Sequence, residues 1–114
     1  MSLVENIELP KSVEVVSVKE GRLEGVVKGK DVKIVIEDPK YIIISGTPVS
    51  ENTQLILDEL LDEEKIDNYY FDDNLLTIEI WVSDEPVCED DWVYYEQYLK
   101  EAGDTLKYIL DNVF

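Results

Sequence analysis

The chain has 114 residues, of which 45% are hydrophobic and 32% charged, with a formal net charge of −17 at pH 7. That is apolar material for one cored domain (residues 1–114), too little length for two, and too negative a surface to grip phosphates directly. Histidine is absent and Cys88 is the single cysteine, which removes Ser-His and Cys-His nucleophile pairs, most zinc sites and any internal disulfide.

In chain order, the start Met1-Ser2-Leu3-Val4-Glu5 lacks the basic and long apolar stretches of a secretory signal, and no apolar run is long enough to span a membrane. With the lone cysteine, this sets the expectation of a soluble, cytoplasmic protein with no membrane partner. Val13 to Ser45 reads as consecutive strands that form a β core with the segments up to residue 82. Val13-Glu14-Val15-Val16-Ser17-Val18 is β-branched and partly alternating, and Glu20-Gly21 supplies a turn. Leu23, Gly25 and Val27 alternate with Glu24, Val26 and Lys28, and Gly29-Lys30 turns the chain again. Val32, Ile34 and Ile36 then mark a strand with one buried face. Asp38-Pro39 breaks the run, and Tyr41 to Ile44 is continuously apolar, as a central strand would be. Tight turns between successive strands predict an antiparallel meander.

Residues 50–64 admit two readings. As a helix, Ser50 caps it and Thr53, Ile56, Leu57, Leu60 and Leu61 form one stripe; as a strand, Gln54 to Leu57 is a short apolar run. Local pattern favours the helix. Ile66 to Phe71 and Leu75 to Val82 form a hairpin about Asp72-Asp73-Asn74. Strict alternation with Ile78, Ile80 and Val82 would expose Trp81, whereas the preferred reading covers its indole with the C-terminal helix. That helix, over residues 88–113, carries Glu89, Asp90 and Asp91 in its first turn, where the helix dipole favours negative charge. Trp92, Tyr95, Leu99, Ala102, Leu106, Ile109 and Val113 then recur at spacings of three and four, a regular seam. Its flanking positions lack complementary charge pairs, so packing on the protein's own sheet is preferred over a homodimer seam. The expected fold is therefore mainly β to α+β: an antiparallel meander or sandwich of about six strands with a C-terminal helix, or the same with an extra helix at 50–64.

The charge is unevenly placed. Residues 1–40 hold seven basic against eight acidic side chains, while residues 41–114 hold three lysines against nineteen carboxylates. Such asymmetry bears on partners and solubility rather than on fold. It disfavours direct nucleic-acid binding and suits either a solvated surface or a docking face for a basic protein. Tyr and Trp enrich interfaces, so the partner-binding candidates are Trp81, Glu89, Asp90, Asp91, Trp92, Tyr95, Tyr98 and Leu99. Cys88, beside Glu85, Glu89 and Asp90, has surroundings that disfavour a thiolate and reads as a small apolar residue.

Several stretches resemble the α-crystallin domain of small heat-shock proteins. Leu23-Glu24-Gly25-Val26, Asp31-Val32-Lys33-Ile34, Ile42-Ile43-Ile44-Ser45-Gly46, Leu57-Asp58, Leu61, Lys65-Ile66 and Asn74-Leu75-Leu76-Thr77-Ile78 carry the likeness across residues 13–82. Glu24 and Asp58 stand where that family has prolines, Asn74 stands for its glycine, and a helix replaces its Ile-x-Ile tail. The resemblance implies a strand at 54–57, an immunoglobulin-like sandwich, and chaperone-like or adaptor binding without nucleotide or metal.

Three functions follow. The first is a non-enzymatic interaction module, an acidic adaptor or chaperone-like domain, needing no cofactor, metal or catalytic residue. The second is an inhibitor that mimics nucleic acid, presenting Asp62-Glu63-Glu64, Asp72-Asp73, Asp84-Glu85 and Glu89-Asp90-Asp91 to a basic groove. The third, least favoured, is a divalent-metal enzyme using carboxylates such as Glu79 and Asp72; neither a calcium-loop pattern nor a Gly-rich phosphate loop accompanies them.

Overall fold

The structure is a computed structural model that describes residues 3–38, 41–82 and 89–114, with side chains in the last stretch from Tyr94 onward. Cys88 and the Asp84-Glu85 pair lie outside the described residues, as do the side chains of Glu89, Asp90, Asp91 and Trp92.

Four strands follow one another directly: β1 (Val13–Lys19), β2 (Arg22–Val27), β3 (Val32–Glu37) and β4 (Tyr41–Gly46). Helix α2 (Thr53–Asp62), strands β5 (Asn68–Asp72) and β6 (Leu75–Trp81) and helix α3 (Glu89–Asn112) complete the chain, after a one-turn helix α1 (Leu3–Asn6) not anticipated from sequence. All strands pair antiparallel in one sheet of order β1-β2-β3-β4-β6-β5. The meander and the C-terminal helix are as expected, and residues 53–62 take the helical reading. The strand at 54–57 that the α-crystallin resemblance implies is not formed, and the strands make one sheet rather than two facing ones.

Period-two patterning explains the layering. Leu23, Ile36, Ile42 and Ile80 stand in one cross-strand row, and Ile34, Ile44 and Ile78 in the next, all buried. Each such side chain contributes about 1.5–3 kcal/mol on burial. The helices cover this face: Leu3 from α1, Leu57 and Leu60 from α2, and Ala102, Leu106, Ile109 and Leu110 from α3 join the same core. The heptad-like seam of α3 thus joins the core of the sheet from Leu99, which is half-buried, to Val113, and Tyr95 is buried as well.

The close approach of layers depends on two glycines. A Cβ on Gly46 would stand 2.7 Å from the Asp31 carbonyl oxygen and 3.2 Å from Phe114 Cε1. A Cβ on Gly103 would stand 3.2 Å from the Glu8 carbonyl oxygen, so the glycine that costs α3 propensity lets the segment after α1 cross it.

The opposite face of the sheet is mixed in charge and largely self-paired. Arg22 donates to Glu37 at 2.7 Å and to Glu24 at 2.9 Å, and Lys33 lies 3.8 Å from Glu24. Trp81 belongs to this face, 54% exposed and edge-on to Tyr41 with ring centroids 6.0 Å apart. The preferred expectation that α3 covers Trp81 is therefore corrected. Strict alternation holds through the end of β6, and the backbone N–H of Trp81 is fixed by the Asp67 carboxylate at 2.5 Å.

Candidate functional site

The apolar stripe of α2 buries Thr53, Leu57 and Leu60, which leaves Glu59 and Glu63, four residues apart, on the exposed shoulder. In α3, burial of Ala102, Thr105 and Leu106 leaves Glu101 and Asp104, three apart, on its shoulder. Residues at these spacings share a helix face. The two shoulders border one groove of about 430 Å³, with Ile56, Leu60, Thr105 and Tyr108 forming its apolar part and Lys65 at its mouth. Glu63 holds that lysine at 3.1 Å. Four carboxylates against one ammonium make the groove strongly negative.

The chain leaves α2 through a reversal that shapes this mouth. Glu64 N–H donates to the Leu61 carbonyl at 3.0 Å and Lys65 N–H to the Leu60 carbonyl at 2.9 Å. This is the glycine-type C-terminal motif of a helix, yet its left-handed position is filled by Glu64 at φ 60°. At the other end, Asn52 rather than the expected Ser50 is the N-cap, without a side-chain cap bond; Ser50 Oγ accepts from Asn52 N–H at 3.2 Å. The hairpin arm begins at Asn68 rather than Ile66, because Ile66 turns inward as a core residue at 2% exposure.

Tyr69 on β5 fixes α2 to the sheet by donating its hydroxyl to Asp58 Oδ1 at 2.5 Å. That hydrogen bond, with smaller contributions from burial and the Asp58 charge, raises the phenol above its ordinary 10.0. The folded state therefore holds the phenolic proton more tightly than the unfolded chain. The associated stability is complete below the ordinary phenol value and falls as pH rises through the raised one. Tyr69→Phe should remove this alkaline component of a pH-dependent melt.

The candidates named from sequence whose side chains are described are spread between the open sheet face, the interior and the surface of α3. Trp81 lies on the open sheet face, Tyr95 is buried at 2% exposure, and Leu99 is half-buried against the core. Tyr98 is 46% exposed on α3. Tyr95 is thus interior and Leu99 lies partly against the core, as seam spacing marks the packed stripe of a helix. Glu89, Asp90, Asp91 and Trp92 belong to the first turn of α3 by their backbone. Asp72 and Glu79 are separated by four positions along the hairpin, about 13 Å. Among the described residues no three carboxylate or thiol side chains gather as a metal site, and no helix is long and apolar enough to cross a membrane.

The groove residues were visible in sequence only as exposed carboxylates beside apolar stripes. Asp62-Glu63-Glu64 is an acidic run in the sequence, but the meeting of Glu63 with Glu101 and Asp104 at one groove depends on how two helices some forty positions apart lie on the sheet. Comparison with family models, curated proteins and solved structures finds no match to this chain.

Proposed function

We propose that this protein is a non-enzymatic interaction module that binds a basic protein partner through its helical side. The supporting observation is the difference in how charge is matched on its two faces. On the open sheet face, arginine and lysine are neutralised by neighbouring glutamates. On the helical side four carboxylates rim a groove that contains one lysine. Exposed charge of one sign accelerates encounter with a partner of the opposite sign and suppresses wrong partners.

The test is capture of binding proteins from the native host at low and high salt, with a Glu59→Gln/Glu63→Gln/Glu101→Gln/Asp104→Asn variant as control. Recovery of a basic protein that the variant loses and that salt releases supports the reading. Partners that are acidic, or that bind wild type and variant equally, overturn it. If the partner is a nucleic-acid-binding protein and duplex DNA displaces the complex, the basic-partner reading stands in the form of an inhibitor that mimics nucleic acid.

A further inference from the structure

We infer that the groove between α2 and α3 receives a basic amphipathic helix of the partner, with an apolar ridge flanked on both sides by lysine or arginine. This rests on the reading of the chain as a binder of a basic protein, and it specifies the shape of what binds.

The groove has two rails and a floor. Glu59 and Glu63 form the α2 rail, and Glu101 and Asp104 form the α3 rail. Between them Ile56 and Tyr108 offer the accessible apolar surface, Leu60 and Thr105 being almost fully buried. The lining runs from residue 56 to 63 on α2 and from 101 to 108 on α3, about 10 Å of each helix, or two turns. Rails of equal length call for an occupant whose apolar side chains recur at helical spacing, with cations on either side. An amphipathic helix laid in a groove presents that pattern. Long basic side chains suit the rim because their aliphatic stems cover apolar surface while their charged ends reach the carboxylates. A compact cation would leave Ile56 and Tyr108 facing water. A strand would set alternate side chains away from them.

Lys65 has a defined place in this scheme. Its ammonium at the mouth, held by Glu63 at 3.1 Å, repels an incoming cation and competes for the carboxylate that the cation would use.

The experiment measures fluorescence anisotropy on the full chain with three probes. One is a labelled synthetic helix with leucines at i, i+3, i+4 and i+7 flanked by lysines. The second is a peptide of the same composition with the leucine ridge scrambled, and the third is spermine as a competitor. The ridged helix should bind about tenfold more tightly than the scrambled peptide. Glu59→Gln/Glu101→Gln should weaken the ridged helix about tenfold and flatten its salt dependence. Tyr108→Ala, which leaves the charge unchanged, should reduce the preference for the ridged peptide. Lys65→Met should tighten binding several-fold. Circular dichroism melts of each variant confirm that these exposed positions leave the fold intact. Equal, salt-sensitive binding of both peptides overturns the helix inference while leaving a basic partner in place. Displacement by spermine at matched concentration also overturns the helix inference, as a small-cation pocket would behave that way. Absence of any binding at low salt overturns both readings.

Discussion

The C-terminal ends of α2 and α3 are built in opposite ways. At the end of α3, Lys30 from the β2–β3 turn donates to the Leu110 carbonyl at 3.0 Å, and the N–H groups of Val49 and Ser50 reach the Val113 carbonyl at 3.0 and 3.4 Å. A cation and backbone donors thus meet the carbonyls that a helix leaves unsatisfied, and the positive charge complements the dipole. The end of α2 closes instead on the N–H groups of its own following residues, carries Asp62, Glu63 and Glu64, and places Glu64 at φ 60° where glycine is the usual choice. Each misplaced carboxylate costs a few tenths of a kcal/mol, and the left-handed glutamate about 1 kcal/mol. Both ends thus have carbonyls met by donors, but the end of α2 gathers carboxylates at the negative pole of the dipole and holds a left-handed glutamate, which is locally unfavourable. Departures from local rules concentrate where function outweighs stability, and the unfavourable end is the one that borders the acidic groove.

The largest effect should come from breaking the well-built end. Gly46→Ala places a methyl group 2.7 Å from the Asp31 carbonyl oxygen and 3.2 Å from Phe114, so β3, β4 and the end of α3 must separate. A loss of about 2–3 kcal/mol is expected in a denaturant melt. A change under 1 kcal/mol would mean that the end of α3 is loosely seated. Lys30→Met keeps the aliphatic stem and removes the ammonium from the Leu110 carbonyl. It should cost about 1–1.5 kcal/mol, less at high salt. Neither change should alter binding of a basic partner, because neither residue lines the groove.

This asymmetry was only partly legible in the sequence. Strand positions followed from alternation at Val32, Ile34 and Ile36, and the helix at 53–62 from the stripe Thr53, Ile56, Leu57, Leu60 and Leu61, because burial on one face imposes those periods locally. Trp81 was harder. Its exposure depends on which face of the sheet the helices cover, a tertiary fact that alternation in β6 leaves open. The seam of α3 identifies a buried stripe but not what buries it, so it leaves open that Tyr95 is interior and that Leu99 packs against the core of the sheet. Lys30 gave no local sign of capping a helix eighty positions away. Likewise Glu59 and Glu101 face one groove only after both helices are placed. Local periods were readable; meetings between distant segments were not.

At the less favourable end, Glu64→Gly should raise stability by about 1 kcal/mol, since glycine adopts the left-handed conformation without a Cβ penalty. Glu64 does not line the groove, so affinity for a cationic helix should change little. An unchanged melt would show that the glutamate is unstrained there and would remove that part of the contrast between the two ends.

The smallest stability effect separates dipole from groove most sharply. Asp62 and Glu63 are neighbours in the last turn of α2, but only Glu63 lines the groove. Replacing either by lysine puts a cation at the negative end of the dipole, so Asp62→Lys and Glu63→Lys should each stabilise by about 0.5 kcal/mol. Glu63→Lys gives up its contact with Lys65 at 3.1 Å, yet both side chains are more than half exposed and that pair contributes little. The two variants have equal net charge, so any effect of overall charge on a basic partner is the same for both. Binding should nevertheless diverge: Asp62→Lys keeps the rail, whereas Glu63→Lys places a second ammonium beside Lys65 and should weaken the ridged peptide at least about tenfold more. Equal loss in both would mean that long-range charge, rather than the groove, selects the partner. Equal retention would mean that the carboxylates at this helix end reflect solvation alone, and that their cost to α2 has no counterpart in binding.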